Sequence, residues 1–429
     1  MDTLLMVVQK ILGVGATALL PIMITLLGLY FRMPFFRALK NGLLIGIGFL
    51  GLNLVLGLLR ATLVPITEYY KASGSGFHIL DLGWQALAAS AWASPFAAVV
   101  VPAGLVLNFA LIRGKVTKTL NVDIWNYWHF LMSASIAYYL LTLAGLGTAA
   151  AGTLGFLLAM VLVIVDLKLA DKIAPRWQKY FGLEGTTCST FLHISTIWPV
   201  AWLGTKIVRA IPGIKDADVS LSWVNKRLGA FGDTAILSFF IGMLLAAITF
   251  QSFDVWLKTG VGVSAAIILL PRMVALLMEG LTPVSRAAKA KMHESLGEDQ
   301  DIHVGMDCAL GTGDPTAITA ALIMIPITIG LAFIIPGNQF FPIGMMGSLA
   351  YMTAICSMET EGNLLHTILV CSLYMIFTMV SLNFLADLGT AFIGTSGTVD
   401  LKGAKAVGSS LHNIPDIIFG ILGKIFGLI

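Results

Sequence analysis

The sequence predicts an all-α polytopic membrane protein of about ten to eleven transmembrane helices, arranged as inverted repeats with re-entrant hairpins. Three observations predict it. Of 429 residues, 57% are hydrophobic and only 11% charged, with mean hydropathy +0.89, whereas a soluble protein carries roughly 25% charged residues. Apolar runs recur at membrane-spanning length. A segment of the first half returns, nearly in register, in the second.

Taken in order, the runs at 11–31, 39–60, 90–112, 126–145, 150–170, 231–250, 258–278, 317–335, 343–358 and 364–386 each read as a crossing helix. About 20 apolar residues cross a bilayer, and backbone groups in lipid must be satisfied within the element itself. No alternating pattern points to a barrel. Segments 77–95, 182–200 and 303–316 are rich in Gly, Thr, Ser and acids. They are too polar to face lipid, so each is expected as a hairpin lining a substrate path. Basic residues set the orientation: Arg32, Arg37 and Lys40; Arg113, Lys115 and Lys118; Lys168, Lys172, Arg176 and Lys179; Lys206, Arg209, Lys215, Lys226 and Arg227; then Arg286, Lys289 and Lys291. With these loops cytoplasmic, the N-terminus lies outside.

"LKNGLLIGIGFLGLNLVLGLLRATLVP" (39–65) and "LKTGVGVSAAIILLPRMVALLMEGLTP" (257–283) align without a gap at an offset of 218, sharing Lys40/Lys258, Gly42/Gly260 and Pro65/Pro283. On the expected orientation the copies run in opposite directions. That is the inverted-repeat plan of secondary transporters, whose site sits near the midplane. The chain then divides into one membrane unit, 1–429, comprising a first repeat (10–200), a cytoplasmic amphipathic linker (201–230), a second repeat (231–390) and a C-terminal segment (391–429).

Much is excluded. A net charge of +3 gives no nucleic-acid footprint, and there is no catalytic triad, Walker loop or dinucleotide fingerprint. No cofactor is expected. Cys188, Cys308, Cys356 and Cys371 stand far apart and read as small core residues. The calcium-loop spacing is absent, so no metal site is expected. No small-residue cleavage site follows the first apolar run, and a removed signal peptide is not expected.

Polar constellations remain as candidates for a site. In "NVDIWNYWHF", Asp123, Asn126 and His129 fall on one side of a helix, with Trp125 and Trp128 on the other. Capping by Asp123 is the competing account. "FGLEGTTCST" carries Glu184, Thr186 and Thr187; "GMDCALGTGDP" carries Asp307 and Asp314; "DLGW" carries Asp81 and Trp84. Carboxylates and amides suit the hydroxyls of a polyol, and an indole packs on its C–H face. Ionisable groups inside a membrane are candidate functional groups by default, so ion binding by Glu184, Asp307 and Asp314 is the alternative use.

The motifs "IGIGFLGLNLVLGL", "DLGW", "NVDIWNYWH", "FGLEG", "LLPRMVALLMEGLTP", "GMDCAL", "PGNQFFPIG" and "EGNLLHT" occur in the order expected of the galactitol-type EIIC family, the membrane subunits of phosphoenolpyruvate-dependent sugar phosphotransferase systems. The chain resembles that family over about residues 10–370. The resemblance implies a permease that carries galactitol or a close polyol and presents it to phosphorylated EIIB, with EIIA upstream. It also implies a homodimer embedded in lipid of the bacterial inner membrane, with an elevator-type core moving against a dimerisation scaffold. The phosphoryl-donor cysteine belongs to EIIB, and Glu184 or His129 would take the hydroxyl proton. The chain departs from the family pattern after "LEG", where His193 comes late, and again from about Ala386.

Overall fold

The computed structural model describes residues 16–73, 77–217, 219–220, 234–296, 302–346, 348–395 and 404–429. The first residues of the first expected span, Lys226 and Arg227, and most of the end of the expected linker lie outside them. The described chain is mostly helical. Its helices are α1 (Ala16–Tyr30), α2 (Phe35–Thr62), α3 (Val64–Ser73), α4 (Gly83–Trp92), α5 (Ala97–Arg113), α6 (Trp128–Leu143), α7 (Thr148–Phe181) and α8 (Trp198–Ala210), then α9 (Thr234–Ile248), α10 (Phe253–Leu296), α11 (Pro315–Ile334), α12 (Ile343–Met346), α13 (Leu349–Glu359), α14 (Leu364–Phe384), α15 (Ala386–Thr395) and α16 (Ile414–Ile425). Among them α7, α11 and α14 are long and apolar enough to cross a membrane, and shorter apolar helices lie within α1, α5, α9 and α10.

Several expected spans need correction. The run 90–112 breaks between Trp92 and Ala97, where Pro95 follows Ser94, so its first residues end α4 and the rest forms α5. The run 343–358 is α12 and then α13, whose 11 residues rise only about 16 Å. In the opposite sense, α7 continues past 170 to Phe181 before Gly182, at φ +66°, ends it in the left-handed conformation. Hydropathy marks only the oily stretch, while the helix goes on wherever its polar end has partners. Asp171 supplies one set, accepting from the Thr117 hydroxyl at 2.9 Å, the Thr119 hydroxyl at 2.8 Å and the Lys118 N–H at 3.0 Å.

The expected all-α class also lacked five short strands: β1 (Ile79–Asp81), β2 (Thr119–Asn121), β3 (Thr186–Cys188), β4 (His303–Met306) and β5 (Lys405–Val407). The three segments expected as hairpins each contribute a strand followed by a helical turn. β4 lies between β2 and β3, with Gly305 paired to Asn121 on one side and Thr187 on the other. A Cβ at Gly305 would stand 2.9 Å from Ser189 Oγ and 3.0 Å from Asn121 Cα, so glycine alone fits the centre of this sheet. β1 pairs with β5, and Ile79 bridges Phe340. These pairings join segments far apart in the chain, satisfying backbone groups that no local helix satisfies.

Element order recurs. α2 and α10 begin 218 residues apart, as do α5 and α11; β3 and β5 begin 219 apart. The aligned segments of α2 and α10 pack on each other in antiparallel sense, since Gly48 and Gly51 approach Leu277 and Met273 while Gly280 approaches Asn41 and Ile45, and Gly262 approaches Thr62. The shared glycine does the same work in both copies. A Cβ on Gly42 would lie 2.5 Å from the Pro21 carbonyl of α1, and one on Gly260 2.9 Å from the Phe239 carbonyl of α9. Pro21 and Phe239 are themselves 218 positions apart. Small residues let helix backbones approach closely where lipid supplies no hydrophobic drive.

Candidate functional site

The site starts at the end of β2. Asn121 accepts from the Asp123 N–H at 2.9 Å and the Ser189 hydroxyl at 3.2 Å, and donates to Asp166 Oδ2 at 3.2 Å. Behind it, Asn108 fastens both ends of the strand, donating to the Thr119 carbonyl at 2.8 Å and accepting the Asn121 N–H at 2.9 Å. The anchored chain turns through Val122–Asp123 into a single 3-10 turn, Ile124–Tyr127, and only then into α6.

That turn delivers Asn126. Its side-chain Nδ2 donates to Asp123 Oδ2 at 2.5 Å and to Asp307 Oδ2 at 3.0 Å, placing one amide between two carboxylates from opposite halves of the chain. The other oxygen of Asp307 accepts the Ala309 N–H at 2.9 Å, the cap bond of the 3-10 turn Cys308–Gly313. Thr190 Oγ1 accepts the Cys308 N–H at 2.9 Å, tying in the chain after β3. Asp123 itself makes no side-chain cap bond, so its carboxylate serves Asn126 rather than the helix end.

A cavity of about 360 Å³ opens beside this bridge, within the size range of small-molecule pockets. Asn126, Asp307, His129 and Trp84 line it together with Trp128. The Trp84 and Trp128 rings stack at 5.7 Å, and Trp128 also lies over His129 at 3.8 Å. Trp128 was expected on the side away from the polar trio. The tighter 3-10 turn departs from 100° per residue and brings it to the cavity. The side chain of Trp125 lies outside the described residues.

Two further histidines meet His129 here. His193 sits in one π-helical turn, His193–Ile197, and His412 follows β5; Ser409 and Ser410 line the same wall. Tyr374 and His412 share a hydrogen bond. The Nδ1 atoms of His129, His193 and His412 are buried and have no hydrogen-bond partner among the described residues. Buried polar atoms are almost always hydrogen-bonded, and the three imidazoles that carry these atoms line one polar cavity. No Lys or Arg is among its described lining residues.

Other sequence candidates fall elsewhere. Glu184 is exposed on the turn between α7 and β3, flanked by Gly182 and Gly185 at positive φ, and does not line the cavity. The hydroxyls of Thr186 and Thr187 are committed to the carbonyls of Leu183 and Ala170, both at 2.7 Å. Asp81 accepts the N–H groups of Gly83 and Met345, each at 3.0 Å. Asp314 caps α11 through the Ala317 N–H at 2.9 Å and accepts from Tyr180 and Ser357. Each bond serves the framework, so these residues shape the fold around the cavity rather than line it.

His193, His412, Thr190, Ser409 and Tyr374 also line the cavity and are not among the candidates read from the sequence. A signal existed: "TFLH" at 190–193 and "SSLH" at 409–412 recur 219 positions apart, matching the offset of β3 and β5.

A mostly helical membrane protein, duplicated in element order around a buried polar cavity, has the make-up of a solute permease. The chain belongs to the EIIC-GAT family, the PTS system sugar-specific permease component, which it matches over residues 10–400. It is 30% identical over 406 residues to the galactitol-specific EIIC component of Escherichia coli (strain K12), covering 93% of this chain and 87% of that one, and equally so to its counterpart in Escherichia coli O157:H7. A second K12 protein, named as a permease IIC component, is 31% identical over 371 residues, 86% of this chain and 83% of that one.

Proposed function

We propose that this permease carries galactitol or a closely related polyol across the bacterial inner membrane and holds it for phosphorylation by phosphorylated EIIB. The observation that carries the reading is the Asp123–Asn126–Asp307 bridge beside stacked indoles and three buried imidazoles with unpartnered nitrogens. Carboxylate, amide and imidazole take hydroxyls as donors or acceptors, an indole face takes C–H groups, and the want of a cation fits a neutral solute. Asp307 and Asn126 contact the polyol in this scheme, and Asp123 orients Asn126.

In the transfer, a polyol hydroxyl oxygen attacks phosphorus, the P–S bond to the EIIB cysteine breaks, and the hydroxyl proton passes to His129. An imidazole within reach is suited to that task, and the exposed Glu184 is left without a part in it. The recurrence of elements at 218 residues and the antiparallel packing of α2 on α10 support inverted repeats spanning 10–200 and 231–390. Such repeats suit a core that moves against a scaffold, and we assign the scaffold's role to a homodimer contact with the N-terminus outside.

The test is uptake of labelled galactitol into vesicles containing the chain, with and without phosphorylated EIIB. Sugar phosphate inside only when phosphorylated EIIB is present is expected. Free sugar accumulating on an imposed ion gradient would replace this reading with ion-coupled transport.

A further inference from the structure

A second cavity, of about 810 Å³, lies at the other end of the same helices. Leu349 and Met352 of α13 line the polar cavity, whereas Met358 and Glu359 of α13 line the second. Ile197, just before α8, lines the first, whereas Trp202, Thr205, Lys206 and Arg209 of α8 line the second. At 1.5 Å per residue the two are separated by only about 8 to 9 Å along both helices. One tie reaches into that interval from the second cavity, through Trp198. Glu359 Oε1 accepts from Arg176 and from the Trp198 indole, each at 2.6 Å, with the Glu359 side chain 5% exposed and that of Arg176 51% exposed.

The second cavity is basic. Arg176, Lys179, Lys206 and Arg209 line it, against Glu359 and Glu361. Arg209 reaches Glu361 at 3.6 Å and Lys206 lies 3.6 Å over the Trp202 ring, while Lys179 and Lys206 have no ion pair among the described residues. Thr205 adds an independent sign: it is 6% exposed, lines this cavity, and its hydroxyl has no hydrogen-bond partner among the described residues. Cations in excess around an unpartnered hydroxyl suit a ligand of two negative charges and several acceptor oxygens. The polar cavity has the opposite character, with the Asp307 carboxylate and neither Lys nor Arg among its described lining residues.

We propose that this basic vestibule binds a phosphoryl group, with the Arg176–Glu359–Trp198 tie separating it from the polyol cavity. The inference rests on the proposed function, which supplies two sources for that group: a phosphorylated polyol after transfer, or the phosphocysteine of EIIB before it. In either case the arginine of the tie is drawn toward phosphate and away from Glu359, which loosens the partition between the cavities.

The test titrates the purified full chain with a hexitol, a hexitol 1-phosphate and inorganic phosphate, following tryptophan fluorescence, and separately measures capture of phosphorylated against unphosphorylated EIIB. Hexitol phosphate is expected to bind, with Kd at least tenfold weaker in Lys206→Gln and in Thr205→Val, while hexitol binding stays within twofold of wild type in both. If only phosphorylated EIIB shows the tenfold loss, the vestibule is assigned to the phosphocysteine. A wild-type chain that binds hexitol, yet discriminates neither hexitol phosphate nor phosphorylated EIIB from the variants, overturns the vestibule and leaves the polyol reading standing. A wild-type chain that fails to bind hexitol strikes the polyol reading instead. Unchanged hexitol binding also shows that the variants are folded.

Discussion

Replacing Asn126 by leucine keeps the side chain's approximate size and removes both of its N–H donors. In the wild type one amide nitrogen holds Asp123 at 2.5 Å and Asp307 at 3.0 Å. Without it, the buried Asp123 carboxyl and the half-buried Asp307 carboxyl face each other across an apolar methyl pair. A hydrogen bond to a charged acceptor is worth about 1.5–3 kcal/mol, so losing two destabilises the chain by roughly 3–6 kcal/mol, less whatever protonation of one carboxyl recovers. Asp307 keeps its bond to Ala309 but loses the contact that fixes its cavity-facing oxygen. If that oxygen holds one polyol hydroxyl, binding weakens by about 1.5–3 kcal/mol, or roughly 10- to 150-fold in Kd. Calorimetric titration with galactitol gives the Kd, and a thermal midpoint on the same preparation reports the fold. Wild-type affinity together with a wild-type midpoint in Asn126→Leu would refute the bridge as the organiser of the site.

Trp84→Ala removes one ring of the stacked pair and is expected to weaken polyol binding about tenfold, in line with 0.5–1.5 kcal/mol for an aromatic contact beyond its buried area; a change under twofold would remove Trp84 from the site. Glu184→Gln, at an exposed position outside the cavity, is expected to leave galactitol binding and phosphorylation within twofold, and a tenfold loss of phosphorylation alone would restore it as the base. Gly260→Ala puts a Cβ 2.9 Å from the Phe239 carbonyl and is expected to cost about 1–3 kcal/mol through overpacking. Gly57→Ala, with nothing within 4 Å, is the control, and equal thermal midpoints for the two would argue against close packing of α9 on α10. Arg176→Ala leaves Glu359 with only the Trp198 donor. Because Arg176 is half exposed, the expected loss is only about 1–2 kcal/mol, below that of a fully buried pair, read again as a thermal midpoint.

Membrane character and most helices were legible because burial in lipid is a property of composition over about 20 residues. The aligned segments of α2 and α10 were legible for a different reason: Gly42 and Gly260 meet the same steric demand, so the same letter recurs at the same offset. Element ends were less so. Nothing in the hydropathy of α7 marks its end at Phe181, and the break before Ala97 is written only in a Ser-Pro pair.

The site divides along the same line. From the sequence alone came the polar trio of the "NVDIWN" stretch and the candidacy of Asp307, since carboxylates in an oily chain are too costly to be incidental. Which carboxylates line the cavity was decided by tertiary structure. Asp307 and Asp314 lie seven positions apart in one polar segment, yet the first reaches Asn126 across 181 positions and opens on the cavity, while the second caps α11. Parallel strand pairing makes the difference. β4 threads between β2 and β3, so atoms from three distant segments meet at one point, and His412 arrives there from beyond β5. Helical periodicity is local and can be read along the chain, but the partner of a buried oxygen is set by long-range contact.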